Sequence, residues 1–574
     1  MLESIILLIA VCILFIGVYG IKKMNTIPAV FNAILSLLVV MIYHCVASGV
    51  MGLIGLKITP YRMAFFDILG GGVCIYFCFW KKMRQEKHLD IVQVISMLAY
   101  FANMALYFHA WFKGRLCMNF ASVDASVQTG YALNLVKAGT IEYNLYYRVI
   151  NDAVIMWLIK PFAGWSYPVK AYILGQTLDL LVAGILFWCT LYMIRMEVKW
   201  KNVIIFFFTT LYTFGYPMYA YQFGWAYFES CIVLINLLII VVALYFDKNE
   251  NNVPVLLIIN GALYAVFVCY SYFVPVVYFG VFFAILCYGI TKKESHVQIV
   301  KQELAFFLAP TVLGLLYSYQ NLSELSSGGG ITLGGGCYTN LFSNFVVFLP
   351  LAVCGVIEVI QSKKWTLVWV LLCSILFYSV LCVAWYKELA SAYYFAKVYN
   401  LMWLEYYLLA FYGVRRIKNP LIPIVGILMV VGCIELNRFG ITNRMQEKKS
   451  DFGIPEPKWL ADVYDMNLGF MLQPGYSDSY WEMNQEVDKL DDSHSLCVVG
   501  SERDVRWMEN LTEIDGYILG DQNTFESFYE KEAYDYIVIT NLGYPIVEQE
   551  PSFFENLGEF YFNNDAGFII KVTK

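Results

Sequence analysis

Charged side chains are scarce in this sequence, since they make up 15% of its 574 residues while 59% of the residues are hydrophobic. Ordinary soluble domains carry about 25% charged residues. Apolar stretches of about 20 residues recur from residue 1 to about residue 436, and each is long enough to cross the ~30 Å hydrocarbon core of a bilayer. The composition therefore excludes an ordinary soluble protein and predicts a chain whose main solvent is the membrane.

Several functional signatures are also missing. The net charge of −6 provides no excess of Lys and Arg for a nucleic-acid surface. No CxxC pair, GxGxxG loop, Walker loop or GxSxG elbow occurs, and the five histidines are scattered along the chain. Nucleic-acid binding, a disulfide framework, dinucleotide binding and a zinc site are therefore not predicted.

What the chain does contain is a regular series of hydrophobic segments with basic clusters on alternate loops. Because basic loops face the cytoplasm, about fourteen spans fit the pattern, with both termini extracytoplasmic. We divide the chain into accessory transmembrane helices (1–89), a transmembrane core (90–436) and a linker with a small soluble α/β domain (437–574). In the tail, apolar runs predict buried strands at 495–500, 536–540 and 567–572, with helices at 502–511 and 525–533.

The first large outer loop, residues 113–165, is predicted to be structured. Asp124 to Lys137 has apolar residues at helical spacing, which favours an amphipathic helix lying on the membrane. Val149 to Ile159 is apolar but too short to span, which favours a re-entrant or interfacial helix on the outer face.

Asp124 is the leading candidate for chemistry, because a carboxylate at the membrane surface can accept the proton of a hydroxyl group. The alternative is an N-cap of the following helix, and the two roles are compatible. Glu142, Arg148 and Asp152 lie in the same loop, where they are either substrate contacts or solvated loop charges.

A second group of candidates lies near the last helices. Lys387 and Lys397 can bind a phosphate as point charges, or they can snorkel at the outer interface. Tyr394 lies between them in an aromatic stretch and is a further candidate for substrate binding.

Ionisable residues inside predicted spans are costly, so each is expected to face protein or a wet cavity. A structural hydrogen bond between helices explains them as well as a functional role does. They are Asp67, Asp179, Glu229 and Glu405. The aromatic stretch 212–225 favours an interfacial belt, with stacking on sugar rings as the alternative.

The layout of residues 90–436 resembles that of the GT-C superfamily of integral membrane glycosyltransferases. The similar features are a span (90–112), a long outer loop with an early acid (Asp124), a helix-forming stretch (125–137) and the segment 143–147 leading into a short apolar helix. A Gly164-Trp165 turn, further spans and a terminal soluble domain follow.

This resemblance implies a GT-C-like core that transfers a sugar from a polyprenyl-phosphate donor to a glycan acceptor on the outer face. Asp124 would then be the base, and Arg148, Lys387 or Lys397 would stabilise the leaving lipid phosphate. No cofactor is certain. The Asp-Glu or Asp-x-Asp pair that would favour a divalent metal is absent at Asp124, and Tyr146-Tyr147 stands where the family often has Pro-Pro.

Two other classes remain open. A transporter or flippase of a lipid-linked saccharide would show inverted repeats and broken midplane helices, and the sequence has no convincing internal repeat. A non-catalytic envelope assembly protein would use its C-terminal domain to bind a partner. A cavity beside Asp124 that opens towards lipid favours the enzyme, whereas a pathway reaching both faces favours transport.

Overall fold

The computed structural model describes residues 1–21, 29–81, 91–112, 124–140, 147–194, 201–247, 253–320, 345, 348–416, 463, 467, 478–491, 495–500, 502–511, 515–518, 534–540 and 558–573. Among the sequence predictions, Glu142, the span at 420–436 and the helix at 525–533 lie outside these residues.

Helices dominate the described part of the chain. They are α1 (Leu2–Ile21), α2 (Ala29–Leu53), α3 (Pro60–Lys81), α4 (Ile91–Phe112), α5 (Asp124–Ala138), α6 (Tyr147–Ala163), α7 (Tyr167–Met193), α8 (Lys201–Thr213), α9 (Tyr216–Phe223), α10 (Ala226–Asp247), α11 (Val253–Cys269), α12 (Val274–Lys292), α13 (His296–Gln320), α14 (Leu349–Gln361), α15 (Trp365–Tyr386) and α16 (Ala392–Arg416), followed by α17 (Asp478–Asp491) and α18 (Glu502–Leu511).

Eight of the described helical segments are long and apolar enough to cross a membrane, and three shorter apolar helices accompany them. The protein is therefore a mostly helical, multi-pass membrane protein, with fewer candidate spans than the fourteen predicted. Part of the difference arises because the predicted spans at 90–112, 253–272 and 341–360 correspond to the three shorter apolar helices, and the predicted span at 420–436 lies outside the described residues. Another part is α16, which carries Lys397, Glu405 and two terminal arginines and is not among the eight.

Local sequence explains where many helices begin and pack. Prolines occupy the first turn of α7, α9, α12 and α14, where the missing N–H costs no hydrogen bond. α14 and α16 approach so closely that a side chain at Gly355 or Gly413 would collide with the backbone of the other helix. Small residues at such a crossing permit tight packing in a bilayer.

α5 begins at Asp124, as predicted, but it does not have the solvated face expected of an amphipathic helix. Residues on several of its faces are buried, including the polar Ser126, Gln128 and Thr129. It packs between α6 and α7 on one side and α18 of the C-terminal domain on the other. The face expected to be solvated is therefore covered by protein, in part by the C-terminal domain.

α6 is longer than the eleven-residue segment predicted and is buried over most of its length. It packs against α1, α2, α7, α10 and α11, and the hydroxyl of Ser4 in α1 donates a 2.7 Å hydrogen bond to the carbonyl of Trp157. Such surroundings do not fit a helix lying in the interface. α6 is an interior element of the bundle.

The C-terminal part forms a five-stranded sheet in the order β2-β1-β3-β5-β4. The strands are β1 (Leu496–Gly500), β2 (Asp515–Ile518), β3 (Tyr536–Thr540), β4 (Gly558–Asn564) and β5 (Gly567–Val572). β1 is parallel to β2 and β3, whereas β5 is antiparallel to β3 and β4. The predicted strands β1, β3 and β5 and the predicted helix α18 are confirmed, while β2, β4 and α17 were not predicted.

One face of this sheet joins the core of the helical bundle. Val498, Val538 and Ile569 belong to the same buried cluster as α17, α18 and the membrane helices. Alternate residues such as Val499 and Ile539 form a separate cluster on the other face. The period-2 alternation of the strands thus fixes which side of the domain meets the bundle.

Candidate active site

Asp124 is held in place by the segment that joins α9 to α10. The indole Nε1 of Trp225 donates a hydrogen bond to its Oδ2. Gly224 ends α9 with φ of +76°, and a side chain there would collide with Ala125. Asp124 is half-buried and lies in the first turn of α5, where the helix dipole favours negative charge.

Tyr172 of α7 connects this corner to the interior. Its hydroxyl donates a 2.6 Å hydrogen bond to the carbonyl of Gly224 and accepts one, also 2.6 Å, from Gln176. It lies within electrostatic range of Asp124 and of the Arg148–Asp152 pair. A fully buried tyrosine therefore separates Asp124 from the ionic groups deeper in the bundle.

Lys397 of α16 lies among three tyrosines, Tyr270, Tyr393 and Tyr394, which we call the tyrosine cluster. Its Nζ is 4.0 Å from the ring centroid of Tyr393, 5.2 Å from that of Tyr270 and 5.5 Å from that of Tyr394. It also donates a 2.9 Å hydrogen bond to the Tyr270 hydroxyl. These contacts are cation–π interactions, which stabilise a partly desolvated ammonium group.

Tyr394, which is predicted from the sequence as a substrate-binding residue, is part of the tyrosine cluster. The hydroxyl of Tyr272 donates to its backbone carbonyl, and burial raises the pKa of the Tyr394 side chain. The phenol therefore stays protonated at neutral pH and can donate a hydrogen bond.

Trp225 brings Asp124 and the tyrosine cluster together. Its ring centroid lies 6.3 Å from that of Tyr393, with the two planes at 74°, an edge-to-face geometry. One side chain thus contacts both the leading acid and the ring on which Lys397 rests. Two candidates far apart in sequence become parts of one site.

Arg148 and Asp152 form an ion network in the interior with Asp179 of α7. Arg148 Nε donates to Asp152 at 2.9 Å, a second guanidinium nitrogen contacts the same carboxylate, and Nη1 lies 2.8 Å from Asp179 Oδ2. Ser230 of α10 donates to the same Asp179 oxygen. Arg148 and Asp152 are 0% exposed, so the interpretation as solvated loop charges is wrong.

The network depends on space left by a glycine. A side chain at Gly175 of α7 would overlap the guanidinium of Arg148. Because the four groups lie on α6, α7 and α10, the network fixes the position of α6 relative to α7, which carries Tyr172, and to α10, which begins directly after Trp225.

The other carboxylates predicted inside spans also face protein. Asp67 is 3.2 Å from His44, and Glu405 accepts a 2.7 Å hydrogen bond from Ser374. Glu229 is 2% exposed, and neither of its carboxylate oxygens is hydrogen-bonded to another described residue. A structural hydrogen bond explains Glu405, and Asp67 lies beside His44, whereas no hydrogen bond among the described residues explains Glu229.

Lys387 does not join the site. It is exposed at the end of α15, with Nζ 5.7 Å from the ring centroid of Tyr386.

The aromatic stretch 212–225 differs from its prediction as an interfacial belt. Four of its tyrosines are buried in the bundle: Tyr212, Tyr216, Tyr219 and Tyr221. Their rings pack on interior partners, as Tyr212 does on Phe187 at 4.1 Å.

The C-terminal part lies over the same region. Asn467 donates to the carbonyls of Phe214 (2.7 Å) and Gly215 (2.9 Å), and its own carbonyl accepts a 3.0 Å bond from Gln222. Trp481 of α17 packs on Trp165 with ring centroids 4.9 Å apart. The domain is thus anchored to the turn before α9 and to the turn before α7.

Trp225, Tyr393 and Asn467 are site residues that the sequence did not single out. Trp225 is the last residue of the aromatic stretch, and Tyr393 is adjacent to Tyr394. The sequence therefore indicated both aromatic segments, but it could not predict which residues these two side chains contact. Asn467 lies in a linker-like region, and no feature of the sequence there predicted that its side chain binds the helical bundle.

No group of three or more His, Cys, Asp or Glu side chains suited to a metal ion occurs among the described residues. Comparison with known proteins found no family model and no curated protein that matches the chain.

Proposed function

We propose that the protein is a membrane glycosyltransferase of the GT-C type, which transfers a sugar from a polyprenyl-phosphate donor to a glycan acceptor on the outer face. The observation that carries this proposal is the meeting of Asp124 with the Lys397 tyrosine cluster through Trp225. The carboxylate of Asp124 can act as a base, and the ammonium group of Lys397 can bind an anion. Both groups lie beside the same aromatic side chains, in a chain that crosses the membrane.

The proposed reaction uses these groups in one displacement. Asp124 accepts the proton of the acceptor hydroxyl, and the acceptor oxygen bonds to the anomeric carbon of the donor sugar. The bond between that carbon and the phosphate oxygen breaks, and polyprenyl phosphate leaves. Lys397 stabilises the phosphate charge that develops, while Tyr394 donates a hydrogen bond.

Trp225 has a positioning role in this scheme. Its N–H donation fixes the orientation of the Asp124 carboxylate, and the ring keeps the base close to the tyrosine cluster. Arg148 is paired with two carboxylates, so we assign it to holding α6 and not to contacting the donor phosphate. In this proposal the C-terminal α/β domain and both termini are extracytoplasmic, so that the domain lies on the same side as the acceptor.

Purified full-length protein incubated with a panel of polyprenyl-phosphate sugars tests this proposal. Release of polyprenyl phosphate by the wild type is expected, and Asp124→Asn should lower it roughly 10²- to 10⁴-fold, which is the usual contribution of a general base. Asp478→Asn is the matched control, because Asp478 is also in the first turn of a helix and is exposed. Its release should match the wild type.

Equal release by the wild type and Asp124→Asn would remove Asp124 as the base. Transport of a lipid-linked saccharide is the alternative function, and the buried charges of Arg148, Asp152 and Asp179 favour it, since intramembrane ionisable residues often line transport paths. Proteoliposomes distinguish the two: movement of an intact labelled donor between leaflets without phosphate release supports transport.

A further inference from the structure

A lateral apolar cleft with a volume of about 660 Å³ separates the accessory helices from the core. Its walls come from α1, α2 and α3 on one side and from α11 and α13 on the other. No charged side chain lines it, and neither Asp124 nor Lys397 borders it. It is therefore distinct from the candidate active site.

Two polar side chains in the cleft wall, Tyr43 and Asn260, have hydrogen bonds within the protein. The Tyr43 hydroxyl donates to the carbonyl of Phe66 at 2.6 Å, and the Asn260 amide donates to the carbonyls of Leu256 and Ala305 at 3.0 Å each. Water would find few partners there, because a buried water needs two to four polar contacts. The cleft suits hydrocarbon.

The rim of the cleft faces outward. Val73 and Phe77 of α3 are 49% and 48% exposed, and Leu257 of α11 is 64% exposed. On a protein that crosses a bilayer, such side chains contact lipid chains. A lipid-facing cleft of this size left empty would forfeit dispersion contacts along its whole wall.

We propose that this cleft binds one acyl chain of a bilayer phospholipid and that the bound chain couples α1–α3 to α11 and α13. The absence of charged lining residues selects against the phosphate end of any lipid. A phospholipid can leave its headgroup outside while its chain fills the cleft, and the bilayer supplies such chains at high concentration. This proposal needs the membrane setting alone and does not depend on the proposed glycosyl transfer.

The test uses the full-length protein in nanodiscs that contain phosphatidylcholine with a diazirine in the middle of one acyl chain. After illumination, cross-linked peptides are mapped by mass spectrometry. We expect labelling to concentrate on cleft residues of α2, α3 and α11, and Val73→Trp to abolish it by filling the cleft. Gly72→Trp is the matched control, since Gly72 is the adjacent exposed residue with open space around it.

Leu257→Trp, on the opposite wall, provides an independent variant if Val73→Trp does not fold, and it should cause the same loss. Labelling spread evenly over the outward-facing helices and unchanged in a folded Val73→Trp or Leu257→Trp variant would overturn the proposal. Competition by polyprenyl phosphate but not by unlabelled phospholipid would also overturn it, because the occupant would then be the donor chain.

Discussion

The indole nitrogen of Trp225 donates a hydrogen bond to Oδ2 of Asp124, which joins the turn before α10 to the first turn of α5. The same indole packs edge-to-face on Tyr393, and the ring of Tyr393 also contacts the ammonium group of Lys397. Trp225 therefore contacts both Asp124 and the tyrosine cluster, and the distance between these two parts of the site depends on it.

Trp225→Phe should keep the ring contact with Tyr393 and remove the hydrogen bond to Asp124. Hydrogen bonds to charged groups contribute about 1.5–3 kcal/mol, so we expect a roughly 10- to 100-fold lower rate of donor turnover. Trp165→Phe is the control, since Trp165 packs on Trp481 outside the site. Equal rates in the two variants would contradict the positioning role of Trp225.

Lys397→Gln should weaken donor binding, because it removes the ammonium group from the tyrosine cluster. Lys387→Gln should leave activity unchanged, as Lys387 is exposed and remote from the described contacts of the cluster. Measurements of KM and kcat for the donor over a range of ionic strengths test this pair. A larger effect of Lys387→Gln would show that the phosphate binds elsewhere.

Arg148→Met should destabilise the protein strongly, because Asp152 and Asp179 would stay buried without their cation. Breaking a buried pair in this way costs about 3–5 kcal/mol. Arg415→Met is the control, since Arg415 is 38% exposed and 3.7 Å from Glu358, a pair of a kind that contributes about 0–1 kcal/mol. Thermal unfolding in detergent measures both, and similar Tm values would argue against the network.

Gly175→Ala should also lower Tm, since the added methyl group would overlap the Arg148 guanidinium. Gly72→Ala makes the same change in α3, where the new methyl group meets open space. Because alanine favours helix by roughly 1 kcal/mol over glycine, the control should be neutral or stabilising. A neutral Gly175→Ala would mean that the guanidinium moves without cost.

Asn467→Ala should loosen the C-terminal domain, because it removes the two side-chain hydrogen bonds to the carbonyls of Phe214 and Gly215. We expect faster release of a C-terminal fragment in limited proteolysis. Asn484→Ala is the control, since its amide bonds to Tyr480 within the same helix. An unchanged cleavage rate for Asn467→Ala would place the anchor elsewhere, for example at Trp481.

Sequence reasoning succeeded where a feature depends on local pattern. The start of α5 at Asp124, the strand at 536–540 and the helix at 502–511 follow from capping and hydrophobic period, which act over a few residues. It underestimated the length of α6, and it allowed Arg148 to be a solvated loop charge although Arg148 is buried. The second error arose because Asp179, which pairs with Arg148, lies on α7 and is far away in sequence.

Composition and hydropathy determined that this chain enters a membrane and ends in a small α/β domain, since burial of apolar segments depends on the residues themselves. Tertiary structure alone decided which charges are paired and which meet at a site. Asp124 and Lys397 are linked through Trp225 and Tyr393, because the turn before α10 meets the start of α5 and a ring of α16. Such long-range contacts are not contained in any local window of the sequence.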